Sequence, residues 1–195
     1  EPYRRQRQMC IRDRYKGSKE TYFKEMDLWL SGGNKKIIVT VNPETLMLSE
    51  KNDNLKKLMD SKCVSLVPDG IAVVKASKWV KSPVLERITG IEISEELLTL
   101  ANKNKYSLYL LGAKEEVVSS LVDKIKVEYP SIKLLGFSNG YVKNLDKEME
   151  KISKLEPDIL LIALGIPMQE ELIYRHMNEF NKGIIVGVGL SLIHI

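Results

Sequence analysis

Asp69 is the carboxylate whose setting says most about chemistry. It directly follows the apolar run Val64–Val67 and stands between Pro68 and Gly70, a turn that would project it over the end of a buried strand. A lone carboxylate in that position suits a general base that takes a proton from an acceptor hydroxyl. It equally suits the N-cap of a helix over Ile71–Val80. Arg87, in the segment Glu86–Gly90 (ERITG), could set a guanidinium beside a leaving diphosphate, with a surface ion pair to Glu86 or Glu92 as the competing reading. His176 is the only histidine between positions 16 and 189. Its mid-helix placement, with no GxSxG partner, reads as a surface or interfacial residue rather than a triad member. There is no GxxxxGK[ST] loop, no GxGxxG opening an early helix, and no DxD, HExxH or Cys/His cluster. These absences argue against a P-loop NTPase, a Rossmann dehydrogenase and a metal site.

These residues must be positioned by something, and the hydrophobic pattern says what. Short apolar runs at Lys36–Thr40, Val64–Val67, Ser107–Leu111, Lys133–Phe137, Asp158–Ala163 and Gly183–Val188 are bounded by Gly, Pro, Asn or Asp. Most lack polar alternation, which predicts buried parallel strands. Between them, apolar residues at three- and four-residue spacing predict helices over Glu20–Leu30, from Pro43 to Leu58, and over Ile71–Val80, Ser94–Asn102, Lys114–Tyr129, Asp146–Leu155 and Met168–Phe180. Ser94 is read as a helix cap, and Val117, Val118, Leu121, Val122, Ile125 and Val127 as one buried face. This rhythm predicts an α/β fold: an open, mainly parallel Rossmann-like sheet with helices on both faces, in a single domain over 16–189.

Ligands of such sheets gather beyond the carboxyl ends of the strands. The residues found there are Thr40 and Asn42, Asp69, Gly112 and Ala113, Gly140 and Tyr141, Gly165, Pro167, Gln169 and Glu170, and Gly187 and Gly189. Small residues at so many exits let backbone N–H groups approach a phosphate and suggest a nucleotide or diphosphate cradle, although turn sterics alone also favour glycine there.

Composition narrows the class further. The 195 residues are 44% hydrophobic and 29% charged, with two cysteines, which excludes a disordered chain and a disulfide scaffold. No apolar run approaches the roughly 20 residues of a membrane span. The net charge of +4 is uneven, because residues 1–15 carry five arginines against Glu1 and Asp13. Met9–Arg14 (MCIRDR) and Ser191–Ile195 (SLIHI) read as translated sequencing adapter, so 1–15 and 190–195 are expected to be non-native ends. A basic arm for nucleic acid or anionic lipid is the rival reading, weakened by the lack of interleaved aromatics; no nucleic-acid partner is expected.

Seven collinear segments resemble the WecG/TagA/CpsF glycosyltransferases: TVNPE (Thr40–Glu44), VPDGIAVV (Val67–Val74), ERITG (Glu86–Gly90), YLLGA (Tyr109–Ala113), GY (Gly140–Tyr141), LGIPMQE (Leu164–Glu170) and GVG (Gly187–Gly189). The resemblance implies a bacterial, inverting, metal-independent enzyme of cell-surface polymer assembly. It would move an N-acetylmannosamine-type sugar from a UDP donor to N-acetylglucosamine on a polyprenyl diphosphate, with no other cofactor. By the same resemblance Asp69 is the proposed base, and Thr40, Asn42, Arg87 and Gln169 belong to the pocket. Gly112, Ala113, Gly140, Tyr141, Gly165, Pro167, Glu170, Gly187 and Gly189 are expected around the UDP-sugar.

Two departures stand out. Ala72 replaces a second glycine after the PDG motif, and Glu92 replaces an aspartate after ERxxG. The family's basic, membrane-associating segment beyond GVG is not found, so a cytoplasmic enzyme peripheral to the inner face of the membrane is expected to be incomplete in this sequence. A homo-oligomer is compatible with the apolar helix positions. The alternative of another class is a non-catalytic nucleotide-sugar-binding module, in which Asp69 only caps a helix.

Overall fold

Side chains that point alternately to the two faces of the central apolar runs, and are buried on both, build a sheet that is covered on both sides. The computed structural model of the chain describes Tyr15 and residues 17–70 and 86–189. Within them, β1 (Lys35–Val41), β2 (Val64–Pro68), β3 (Ser107–Gly112), β4 (Lys133–Ser138), β5 (Ile159–Ala163) and β6 (Gly183–Gly187) form one sheet. The strand order is β2-β1-β6-β5-β3-β4, and every pairing is parallel.

On one face, Ile38, Leu108, Leu110, Ile159, Leu161, Ile184 and Val186 pack under α1 (Lys19–Ser31), α4 (Gly90–Asn104) and α5 (Glu115–Glu128). On the other, Ile37, Val39, Tyr109, Leu111, Leu160, Ile162 and Ile185 pack under α3 (Asp53–Met59), α6 (Leu145–Leu155) and α7 (Met168–His176), with α2 (Pro43–Ser49) at the margin. Full burial of each such side chain stabilises the fold by about 1.5–3 kcal/mol relative to exposure. The expected fold class is therefore the observed one.

Several local expectations need correction. The helix expected from Pro43 to Leu58 is two helices, α2 and α3, because the Asn52 side chain accepts from the backbone N–H groups of Asn54 and Leu55 and starts a second one. Ser94 does not cap α4. That helix starts a turn earlier, where Thr89 and Glu92 close a capping box, while the Ser94 hydroxyl is buried and donates to the Gly90 carbonyl. Val127 is 79% exposed, since only Val118, Leu121, Val122 and Ile125 of α5 face the sheet fully. The stretch expected as one helix to Phe180 ends as α-helix at His176 and tightens into a 3-10 turn over Met177–Glu179. β4 is not buried like the others; it is a sheet edge, with Leu135 and Phe137 exposed. The helix expected over Ile71–Val80 lies outside the described residues.

The connections fix where a ligand can enter. From β3 the chain leaves through α5 on the first face toward β4. From β5, its neighbour, it leaves through α7 on the opposite face toward β6. Adjacent parallel strands whose helices depart in opposite directions leave a crevice between their carboxyl ends.

Candidate active site

The crevice expected between β3 and β5 is present as a cleft of about 440 Å³. It is lined by Ala113, Lys114 and Val117 from the β3 exit, Gly140 and Tyr141 from the β4 exit, Ala163, Leu164, Gly165 and Met168 from the β5 exit, and Gly189 beyond β6. Two backbone hydrogen bonds tie its walls together: the Ala113 N–H donates to the Ala163 carbonyl (2.8 Å), and the Gly140 N–H donates to the Ala113 carbonyl (2.8 Å). Gly112 permits this. A Cβ there would stand 2.3 Å from the Ala163 carbonyl oxygen, at a φ of +123° that side chains rarely adopt.

The helices that open onto the cleft differ from the other described helices. Side chains of Ser18, Asn42, Asn52, Thr89 and Asn144 cap α1, α2, α3, α4 and α6. The N-caps of α5 and α7 are Lys114 and Pro167, and neither makes a side-chain cap. Uncapped first turns next to a cavity offer backbone donors and the positive end of the helix dipole to an anion. Lys114, exposed at the cleft, adds a full cation. Tyr141 is 75% exposed, and its backbone is set by a bond from its N–H to the Asn139 side-chain oxygen (2.8 Å). An aromatic ring standing free at the mouth of such a cleft can stack on a planar base.

A second group sits at the β1 and β2 exits on the same edge of the sheet. Val41 and Pro68 are partners in the parallel register, so Asn42 and Asp69 emerge side by side. The Asp69 N–H donates to the Val41 carbonyl (2.9 Å), and the Ile88 N–H returns to the Pro68 carbonyl (3.0 Å). That return brings Arg87 beside Asp69, with Nε 3.4 Å from Oδ1 and both side chains open to solvent (47% and 26% exposed). Arg87 therefore pairs with Asp69, and not with Glu86 or Glu92 as the competing reading had it. Glu86 instead accepts from the Lys19 backbone N–H, and Glu92 pairs with Lys19 Nζ at 2.8 Å. Glu92 also accepts from the Thr89 N–H and hydroxyl, so its longer arm closes the start of α4. Asn42 caps α2, with Oδ1 accepting from the Thr45 N–H (2.8 Å), and the half-buried Thr40 precedes it.

The expected site residues are thus divided. Ala113, Gly140, Tyr141, Gly165 and Gly189 line the cleft, whereas Gly112, Pro167, Glu170 and Gly187 are not among its lining residues. Thr40, Asn42, Asp69 and Arg87 form the group at β1 and β2. Gln169 is almost fully buried and reaches from α7 to the β6 exit, accepting from the Gly189 N–H at 3.1 Å. Lys114 and Val117, two and five residues beyond β3, were not among the expected site residues, and Leu164 and Met168 entered only as part of the LGIPMQE segment.

His176 is interfacial rather than on the surface. It is buried at the end of α7, with Nε2 2.7 Å from Asp146 and Nδ1 2.8 Å from Glu179, far along the helix from the cleft. Among the described residues, no group of three or more His, Cys, Asp or Glu side chains is placed to hold a metal ion. Also among them, no helix is long and apolar enough to cross a membrane.

Comparison with known proteins decides the lineage. Residues 14–194 match the model of the glycosyl transferase WecG/TagA/CpsF family. The chain belongs to that family. Curated members similar to it include the N-acetylglucosaminyldiphosphoundecaprenol N-acetyl-beta-D-mannosaminyltransferase of Bacillus subtilis strain 168, 37% identical over 155 residues, which are 80% of this chain and 60% of the relative. The protein of the same name from Bacillus spizizenii is 34% identical over 79% of this chain and 60% of its own length. The one from Staphylococcus aureus strain NCTC 8325 is 37% identical over 82% and 62%. The chain thus spans about three-fifths of the length of these family members. The family's motif segments that lie within the described residues fall at the carboxyl edge of the sheet, where the cleft and the Asp69–Arg87 pair are found.

Proposed function

We propose that the protein is an inverting glycosyltransferase that moves N-acetylmannosamine from a UDP donor to N-acetylglucosamine carried on a polyprenyl diphosphate. The names of its relatives supply the sugar and the acceptor. The observation that carries the reading is the switch-point cleft, where α5 and α7, which among the described helices lack side-chain caps, open beside Lys114 and Tyr141. A nucleoside diphosphate needs a flat apolar neighbour for its base and donors for its phosphates, and this cleft offers both.

Asp69 leaves the sheet three strands from β5, a lateral distance of about 14 Å at the usual strand spacing. In this reading the nucleoside sits at β3 and β5, and the diphosphate runs along the strand ends toward β1 and β2. The sugar then reaches the base. Asp69 takes the proton of the acceptor hydroxyl as that oxygen attacks the anomeric carbon, and the UDP oxygen leaves from the opposite face with the bonding pair. Arg87 is held beside Asp69 until the donor diphosphate offers it a doubly charged partner, and its transfer to that phosphate would free the base. Contact with the inner membrane face, where a polyprenyl acceptor resides, belongs to the same proposal.

The test is calorimetric titration with UDP alongside a transfer assay with UDP-N-acetylmannosamine and a polyprenyl-diphosphate-linked N-acetylglucosamine. UDP binding with product formation is expected. UDP binding without transfer, in a form as long as its relatives, would favour the non-catalytic binding module.

A further inference from the structure

Gln169 and Glu170 are adjacent on α7, nearly fully buried (2% and 3% exposed), and are linked to each other and to the β6 exit. The chain of donors fixes their states. The Gly189 backbone N–H can only donate, so the Gln169 atom facing it at 3.1 Å is the amide oxygen. The amide nitrogen must then face Glu170, where it donates to Oε1 at 2.8 Å. Oε1 is therefore an unprotonated acceptor. The other oxygen, Oε2, is buried and has no hydrogen-bond partner among the described residues. A carboxylate ion with one oxygen sealed away from water and partners is far costlier than a neutral acid whose hydroxyl lacks an acceptor.

The amide also has little room to move. A Cβ on Gly187 would stand 2.6 Å from Gln169 Nε2, so the side chain lies directly across that glycine.

We propose that Glu170 is a positioning residue kept in its neutral form with the proton on Oε2, and that it fixes the Gln169 amide and through it the backbone of Gly189 at the wall of the cleft. Burial pushes the Glu170 carboxyl above the ordinary carboxylate range. The Gln169 bond and its own backbone N–H oppose this, and the neighbouring charge of Glu171 adds to it. The elements packed against α7 do not offset the burial. β6 has no ionisable side chain. From α6, Asp146 pairs with Arg175 and His176 at the far end of α7 and Glu148 with Lys151, while Asp53, Lys56 and Lys57 of α3 make no ion pair with Glu170. Loss of the proton would put a charge into the sealed site and loosen the contact that holds Gly189. That makes the cleft wall, and with it donor affinity, sensitive to rising pH.

The functional consequence rests on reading the cleft as the UDP site, while the positioning claim does not. Backbone-amide NMR spectra of the intact chain, recorded from about pH 5 to the alkaline limit of the folded protein, separate the two. The Gly189 resonance should move in one step above the ordinary carboxylate range. In Glu170→Gln, which keeps the acceptor oxygen and cannot ionise, it should stay at the low-pH position throughout. UDP affinity should fall about tenfold across the step in the unaltered chain and stay within about twofold in the variant. No step in the unaltered chain, the same step in the variant, or a variant fixed at the alkaline position would overturn the proposal. A Gly189 response as expected without any UDP binding would uphold the positioning role and sink the UDP reading instead.

Discussion

Asp69 and Arg87 are 18 positions apart in the chain, yet their side chains meet because the Ile88 N–H returns to the strand that ends in Asp69. Neither competing reading of Arg87 anticipated this, since a contact across an intervening segment leaves no local periodic trace. Asp69 itself was legible from its place between proline and glycine after an apolar run. Gly112 is a second case in which one residue decides local geometry. Gly112→Ala should destabilise the protein by about 3 kcal/mol, because a Cβ would collide with the backbone of β5 rather than with a side chain that can move. Urea unfolding monitored by circular dichroism measures this, and a loss below about 1 kcal/mol would show that β3 and β5 can separate at that point.

At the level of elements, strand positions were readable because buried parallel strands are continuous apolar runs, and all six observed strands overlap the expected ones. Helix starts were less readable. Ser94 looked like a cap from sequence, but the Thr89–Glu92 box outcompetes it by satisfying two donors reciprocally. The uncapped start of α5 at Lys114 carries a consequence for stability and binding together. Lys114→Asp should cap that helix and raise stability by about 0.5–1 kcal/mol. It should also weaken UDP binding about tenfold or more by placing a carboxylate where the phosphates are expected. Parallel thermal and calorimetric titrations check the two signs; stability and affinity rising together would argue against an anion site at α5.

Across the whole molecule, opposed carboxylates give stability a pH dependence on both sides. Burial would raise the Asp158 carboxyl, but Lys182 Nζ at 2.8 Å and the Ser107 N–H and hydroxyl, each at 2.8 Å, outweigh it and hold it below its ordinary value. A lowered carboxyl contributes stability that is present above its unfolded pKa and is lost as pH falls through the folded value. Asp158→Asn should therefore lower stability at neutral pH and flatten the decline on acidification, as read from urea midpoints across pH. An unchanged acid slope would show that Asp158 titrates alike in both states. Glu170 has the opposite sign: its raised pKa means that its contribution is full below the unfolded value and fades as pH rises. The net charge of +4, in contrast, says little about function, because most of it comes from the arginines of residues 1–15.

Asp69 carries the central claim, that this member of the family transfers a sugar with a carboxylate as general base. The most direct measurement compares Asp69→Asn with the unaltered protein in two assays, UDP binding by calorimetry and transfer to the lipid-linked acceptor. The asparagine keeps the size and polarity of the side chain but cannot take the acceptor proton. UDP affinity unchanged within about twofold, with transfer reduced by at least about 100-fold, is the predicted result. Near-normal turnover in the variant would contradict the account.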